Sequence, residues 1–331
     1  MSTDDLRVPR AAESHSRRVT VSLVVVSSLL MIAWLGADVA PPTAVATALA
    51  ESVARPGLSI RTLPLDVNPR VERWMEVLRT DRREELLTLL ERTGVYGDLI
   101  RGELRERAMP EELIYLAMIE SGLSPLAESH VSAVGLWQFM DATANDYGLR
   151  MDEYVDERRD PVRATDAALD YLYWLRARFG SWYLAIAAYN AGPARIERVL
   201  ELYAGGRTGD EGIYWEILRH LPRETREYVP RLIATARLAA DAESLGFSES
   251  AAAPYEYDEV YVPGGTRLAS VARALDLEVE VLHDLNPHLI RESTPPDEMW
   301  PLRVPPRRSP EVVAALGDGW SATATARAAQ D

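Results

Sequence analysis

From Asn68 onward, apolar residues recur at every third or fourth position with charged residues between them, the period of helices that bury one face. Asn68 can cap a helix with Pro69 in its first turn, and DRREELLTLLERTG (Asp81 to Gly94) starts on an acid and stops at glycine. The spacing predicts another helix over about Tyr96 to Arg107, and Pro110 opens the next, which runs into Glu120. Asp160-Pro161 repeats the cap-and-proline signal ahead of DAALDYLYWLRARFG, where Leu169, Leu172, Trp174, Leu175 and Phe179 share a helical face. Ser181 caps WYLAIAAYNAG, which stops at Gly192-Pro193, and Trp174 and Trp182 both read as core. ARIERVLELYAGG and ETREYVPRLIATARLAADAESLG complete the series. Nothing between Asn68 and Gly246 reads as a strand, so residues 65–246 are expected to form an all-helical domain.

The pattern changes at both ends. After a linker over 247–256, a β-branched run, a Gly-Gly turn, helices near Thr266 and Val279 and a closing WPLRVPP predict a small βααβ module over 257–306. The Ala-, Ser- and Arg-rich tail, 307–331, is expected to be disordered. At the other end, Arg17 and Arg18 precede an uncharged apolar run, residues 19–37, that approaches the ~30 Å needed to span a bilayer. It reads as a signal anchor or a signal peptide, with 1–18 a cytoplasmic segment and 38–64 a linker; VATALA keeps cleavage open. Arginines before the span place the rest of the chain on the periplasmic side of the cell envelope, membrane-anchored or secreted.

Composition mainly excludes. There is no cysteine, which removes disulfides, thiol nucleophiles and cysteine-linked lipid anchors. A net charge of −15, with every basic residue an arginine, argues against nucleic acid as a partner. The 5 histidines are scattered without metal-ligand spacing, no HExxH occurs, and no glycine-rich phosphate loop follows a strand. No cofactor or metal is expected, and His130 reads as a loop residue.

The chemically suggestive stretch is IYLAMIESGLSP, Ile114 to Pro125. Glu120 ends an apolar helix, with Gly122 suited to the left-handed cap. The helix dipole is negative there and apolar neighbours remove water, so both effects favour the protonated carboxyl that a general acid needs near neutrality.

AVGLWQFM, AAYNAG and ETREYVP follow in order, and together with ESGLSPLAESHVS they resemble the lytic transglycosylase (SLT) domain related to goose-type lysozyme. VDERRDP, Val155 to Pro161, makes the resemblance strongest to the membrane-bound lytic murein transglycosylase D type, over roughly residues 65 to 245. DEVYVPGGTRLASVARAL and LNPHL resemble a divergent LysM module, a peptidoglycan-binding fold. The fold class this implies is mainly α: a lysozyme-like all-helical domain followed by a βααβ LysM-like module. The implied activity is cleavage of the β-1,4 bond between N-acetylmuramic acid and N-acetylglucosamine in peptidoglycan strands without water, leaving 1,6-anhydromuramic ends. The resemblance makes Glu120 the acid and then the base. It assigns substrate contacts to Ser121, Ser129, Gly135, Leu136, Trp137, Gln138, Tyr189 and Asn190, and gives Tyr228 the placing of the carboxyl. Where the family usually has proline after the methionine of the glutamine motif, this chain has Asp141.

Two other readings stay open. A goose-type hydrolase would need a second carboxylate to activate water, with Glu128, Asp141 and Asp146 nearest in sequence. A non-catalytic wall-binding protein would need neither.

Overall fold

The computed structural model describes residues 62–246 and 252–316, so the expectations for residues 1–61, the anchor among them, and for 317–331 fall outside it. The helical domain consists of α1 (Pro69–Arg79), α2 (Arg83–Glu106), α3 (Ile114–Ser121), α4 (Asp141–Asp146), α5 (Pro161–Phe179), α6 (Trp182–Ala191), α7 (Pro193–Ala204), α8 (Gly212–Ile217) and α9 (Arg223–Ala240). Its core is built from α3, α5, α6 and α9, whose Leu116, Leu172, Ile186 and Leu232 are fully buried.

Local capping explains most of the boundaries. Asn68 Oδ1 accepts from the amides of Arg70 and Val71, Asp160 Oδ1 from Val162 and Arg163, and Ser181 Oγ from Leu184, which satisfies first-turn donors that have no helical partner. Glu211 adds a second cap to α6, its carboxylate accepting from the amides of Trp182 and Tyr183 and from Ser181 Oγ. Gly122, at φ 65, ends α3.

Gly94 does not end a helix, contrary to the expectation. α2 runs through it, because Leu86, Leu89, Leu90, Tyr96, Ile100 and Leu104 form one continuous buried stripe. Burying side chains of that size outweighs the roughly 1 kcal/mol that an interior glycine costs.

α9 contains Pro230, which cannot donate to the carbonyl of Arg226. The hydroxyl of Tyr214 donates to that carbonyl at 3.2 Å and to its neighbour on Thr225 at 3.1 Å, so the helix continues with its polar groups paired.

The C-terminal module has β1 (Asp258–Val262), α10 (Leu268–Ala274), α11 (Val279–Leu285) and β2 (Trp300–Val304), the strands pairing antiparallel with Val260 opposite Leu302. The expected βααβ order is present, with one addition. Within the tail read as disordered, α12 (Ser309–Leu316) is helical. Val312 is buried in the module core, and Arg308 Nη2 donates to the Leu275 carbonyl at 2.6 Å. The second half of the expected linker is also ordered: the Tyr255 amide donates to Val95 O at 2.8 Å and its hydroxyl to Leu285 O at 2.7 Å. No described helix is long and apolar enough to cross a membrane.

Candidate active site

α3 presents Leu116, Ala117, Met118 and Ile119 to the core and carries Glu120 in its last turn, a residue that is half-buried rather than sealed from solvent. α9 packs across the end of α3 and brings in Tyr228, whose buried hydroxyl donates to Glu120 Oε1. Burial pushes the Glu120 carboxyl up to about 7; the Tyr228 hydrogen bond pulls against that shift, the Glu224 charge adds to it, and the Arg231 guanidinium opposes it. Burial dominates, so the carboxyl keeps its proton to far higher pH than an ordinary glutamate.

Tyr189, on α6, completes the wall. Its hydroxyl donates to the Trp137 carbonyl at 2.7 Å and its ring packs against Tyr171 at 5.4 Å. Burial, then the nearby Glu120 charge, hold its own pKa well above the usual value. A phenol in that state stays protonated and serves as a hydrogen-bond donor.

The Gly135–Gln138 motif lies in a loop facing α3. Gln138 adopts the left-handed conformation, φ 52, and its amide nitrogen donates to the carbonyls of Gly135 at 2.9 Å and Ala127 at 3.2 Å. The amide oxygen remains as the group able to meet a ligand. Gly135 is required by the protein's own packing: at φ 86, a Cβ there would lie 1.8 Å from the Arg158 carbonyl oxygen.

Several residues assigned to substrate contact also have supporting roles within the protein. Ser121 is buried and its hydroxyl donates to Leu136 O at 2.7 Å, joining α3 to the glutamine loop. Leu136 and Trp137 are fully buried, with the indole nitrogen donating to Thr165 Oγ1 at 2.9 Å. Ser129 Oγ accepts from the amides of Val131 and Ala133, bracing the turn at the base of the loop. Asn190 is buried; it donates to Glu224 Oε1 at 3.0 Å and accepts from Thr225 Oγ1 at 2.8 Å, tying α6 to the start of α9. A short polar residue beside a glycine or at a helix end is pulled into backbone and helix-to-helix bonding, and neighbouring apolar positions into the core.

The carboxylates considered for water activation have other partners. Glu128 pairs with Arg159 at 3.3 Å, Asp141 starts α4 and pairs with Arg158, and Asp146 raises the pKa of Tyr171 after burial does. The carboxylate whose charge acts on Glu120 is Glu224, which sequence reasoning missed. Its position four residues before Tyr228 on α9 was the available signal, because i and i+4 share a helix face. Among the described residues, no group of acidic or histidine side chains could hold a metal ion.

Residues 99–208 match the family model described as the transglycosylase SLT domain, and residues 256–318 match that of the LysM-like domain of lytic transglycosylase MltD. The chain is similar to membrane-bound lytic murein transglycosylase D of Escherichia coli (strain K12), 36% identical over 157 residues that make up 47% of this chain and 34% of that one. It is also similar to peptidoglycan transglycosylase gp16 of Escherichia phage T7, 32% identical over 40% of this chain and 10% of that protein. Among solved structures it is similar to the 70 kDa soluble lytic transglycosylase of Escherichia coli, at 21% identity and a TM-score of 0.40 over 59% of this chain and 40% of that one. The chain thus spans about a third of the length of the murein transglycosylase D it matches. The match is to a transglycosylase SLT domain over residues 99–208, followed by an MltD LysM-like domain over residues 256–318.

Proposed function

We propose that the chain cleaves the β-1,4 bond between N-acetylmuramic acid and N-acetylglucosamine in peptidoglycan by lytic transglycosylation, with Glu120 as its acid and then its base. The observation that carries this reading is the Glu120 carboxyl itself: at a helix end, shifted up to about 7, held by one phenol, and still partly open to solvent. Protonated, it donates to the bridging oxygen as the bond to the muramic anomeric carbon breaks, and the glucosamine end leaves as an alcohol. The carboxylate left behind takes the proton from the muramic 6-hydroxyl, whose oxygen closes on the anomeric carbon. The proton lost in the first step is regained in the second, so no water is consumed and one carboxyl is enough. Most glycosidases divide these tasks between two carboxylates. In this scheme Tyr228 holds the acid in position while Gln138 and Tyr189 contact the sugar chain. The protein works in the cell envelope, with its N-terminal apolar run as the membrane attachment.

Mass spectrometry of murein digested by the full chain tests the reading. The expected products carry 1,6-anhydromuramic ends, lighter than hydrolysis products by the elements of water; digestion to reducing muramic ends alone would rule it out. Hydrolysis is kept as a second reading by one feature, the Glu224 carboxylate whose charge acts on Glu120.

A further inference from the structure

We propose that the LysM-like module is a fixed brace of the groove, acting through Arg158 as a positioning residue for the loop that carries Gln138. The inference rests on the reading of the groove given above. It starts from LNPHL, a motif that the chemistry leaves unused. Asn286, His288 and Leu289 are all buried, so that face of the module is not open to a glycan. The Asn286 side chain bonds the backbone of Arg303 on both its groups, at 2.7 and 3.0 Å.

What covers LNPHL is the helical domain's VDERRDP segment. The Asp156 amide donates to His288 O at 2.9 Å, the Ile290 amide donates to Tyr154 O at 3.0 Å, and Val155 forms a bridge with Leu289. Val155 is fully buried in the module's own core, together with Val262, Leu268 and Leu302. The junction is closed by Arg303 Nη1 donating to Asp160 Oδ1 at 2.8 Å, both side chains buried. Chain from the helical domain thus completes the module's core.

Arg158 and Arg159, in the same segment, reach the other way, onto the glutamine loop. Arg158 donates from Nε and Nη2 to Asp156, from Nη1 to Ser132 O at 3.3 Å, and also to Asp141, so that it spans the loop from one side to the other. Its backbone carbonyl fills the space where a Cβ on Gly135 would stand. Arg159 pairs with Glu128 at the loop's beginning. One short segment therefore holds the module on one side and the loop on the other. A planar guanidinium with several fixed donors suits that task, and a site loop displaced by about 1 Å loses substrate geometry without losing its acid.

The test uses the full chain, with hydrogen exchange across residues 127–140 and steady-state cleavage of a soluble uncrosslinked glycan strand. Arg158→Ala should speed exchange in 127–140 and raise KM about tenfold, with kcat and the pH limb of Glu120 held, and Arg158→Lys should recover part of the loss. Arg150→Ala/Arg291→Ala removes the ties of Arg150 to Glu298 and over the Trp300 ring and of Arg291 to Glu153, together with the Arg150–Asp152 pair, and should speed exchange in 127–140 while α3 stays protected. Unchanged exchange in 127–140 in both variants overturns the brace, as does a fall in kcat with KM unchanged in Arg158→Ala. If the wild-type chain makes no anhydromuramic product, the reading of the groove fails, and the exchange result alone then decides whether the module braces the loop.

Discussion

Glu120 and Asp160 are both carboxylates surrounded by protein, but one stands at the end of a helix and the other at the start of one. At the N-cap of α5, Asp160 accepts from two backbone amides and from Arg303. Burial alone would raise its pKa, yet the Arg303 charge and these hydrogen bonds hold it below the usual carboxylate range. His288, which lies 3.3 Å from Asp160 Oδ2, is pushed down to about 4 by its own burial, so it is neutral at pH 7 and the charge partner of Asp160 is the guanidinium. Glu120 has the opposite surroundings: a helix C-terminus, apolar neighbours and one phenol. The fold compensates the charge that joins its two parts and leaves the carboxyl proposed to react with its pKa raised. Stability and chemistry thus ask opposite things of the same functional group.

Replacing Glu120 by Gln sharpens the contrast most. General acid–base roles of this kind are worth about 10²–10⁴-fold, and here one group fills both, so turnover should fall at least about 10³-fold while murein binding is retained. Stability should move the other way. The folded-state pKa, about 7, lies above the unfolded value near 4.5, so the folded protein holds the extra proton, and stability is lost as pH rises through 7. At pH 8 the ionised carboxylate costs roughly 1–3 kcal/mol after allowance for its partial exposure. Glu120→Gln should raise the urea midpoint at pH 8 and change it little at pH 4.5. Equal midpoints at pH 8 would contradict the proton-holding carboxyl.

The converse change is Arg303→Met, which leaves Asp160 buried without its cation. Breaking one partner of such a pair costs about 3–5 kcal/mol, and pairing the change with Asp160→Asn should return part of it. Denaturant unfolding of the two variants measures both values; a single variant no less stable than wild type would show that the cap amides alone carry the Asp160 charge.

How legible these two sites were depends on how local their causes are. The caps at Asn68, Asp160 and Ser181 and the end of α3 at Gly122 rest on residues within one turn, and they stand where the pattern placed them. Glu120 was readable for the same reason, since its helix end and apolar neighbours are adjacent in sequence. Gly94 misled, because what overrides it is a buried stripe that continues along α2. Glu211 and Arg303 act across distances in sequence that no local signal reports, whereas Glu224 was signalled only through its place one turn before Tyr228 on α9. Ser121, Leu136 and Trp137 lie inside the right motif, but their burial follows from how the loop packs back on α3.

A smaller effect separates placement of the acid from its charge. Tyr228→Phe removes the donor that favours ionised Glu120, so the carboxyl's pKa should rise further while its position loosens. Turnover should fall about 10–100-fold with KM little changed, and the basic limb of the pH–rate profile, where the acid loses its proton, should move upward. Equal losses in kcat and affinity would point to a role for Tyr228 in holding substrate.

Glu224→Gln should give the smallest shift, and its value lies in its direction. The Glu224 charge raises the Glu120 pKa, so removing it should move the basic limb to lower pH, opposite to Tyr228→Phe. The amide oxygen of glutamine can still accept from Asn190 Nδ2, which keeps the tie between α6 and α9 and isolates the charge. Because Glu224 is exposed, its influence is screened by salt. The gap between wild-type and variant limbs should therefore be widest at an ionic strength of about 0.01 M, where the Debye length is about 30 Å, and should close near 1 M, where it is about 3 Å. A limb that stays in place at low salt would remove Glu224 from the electrostatics of the acid. One that moves by the same amount at both salts would assign the effect to changed packing rather than to charge.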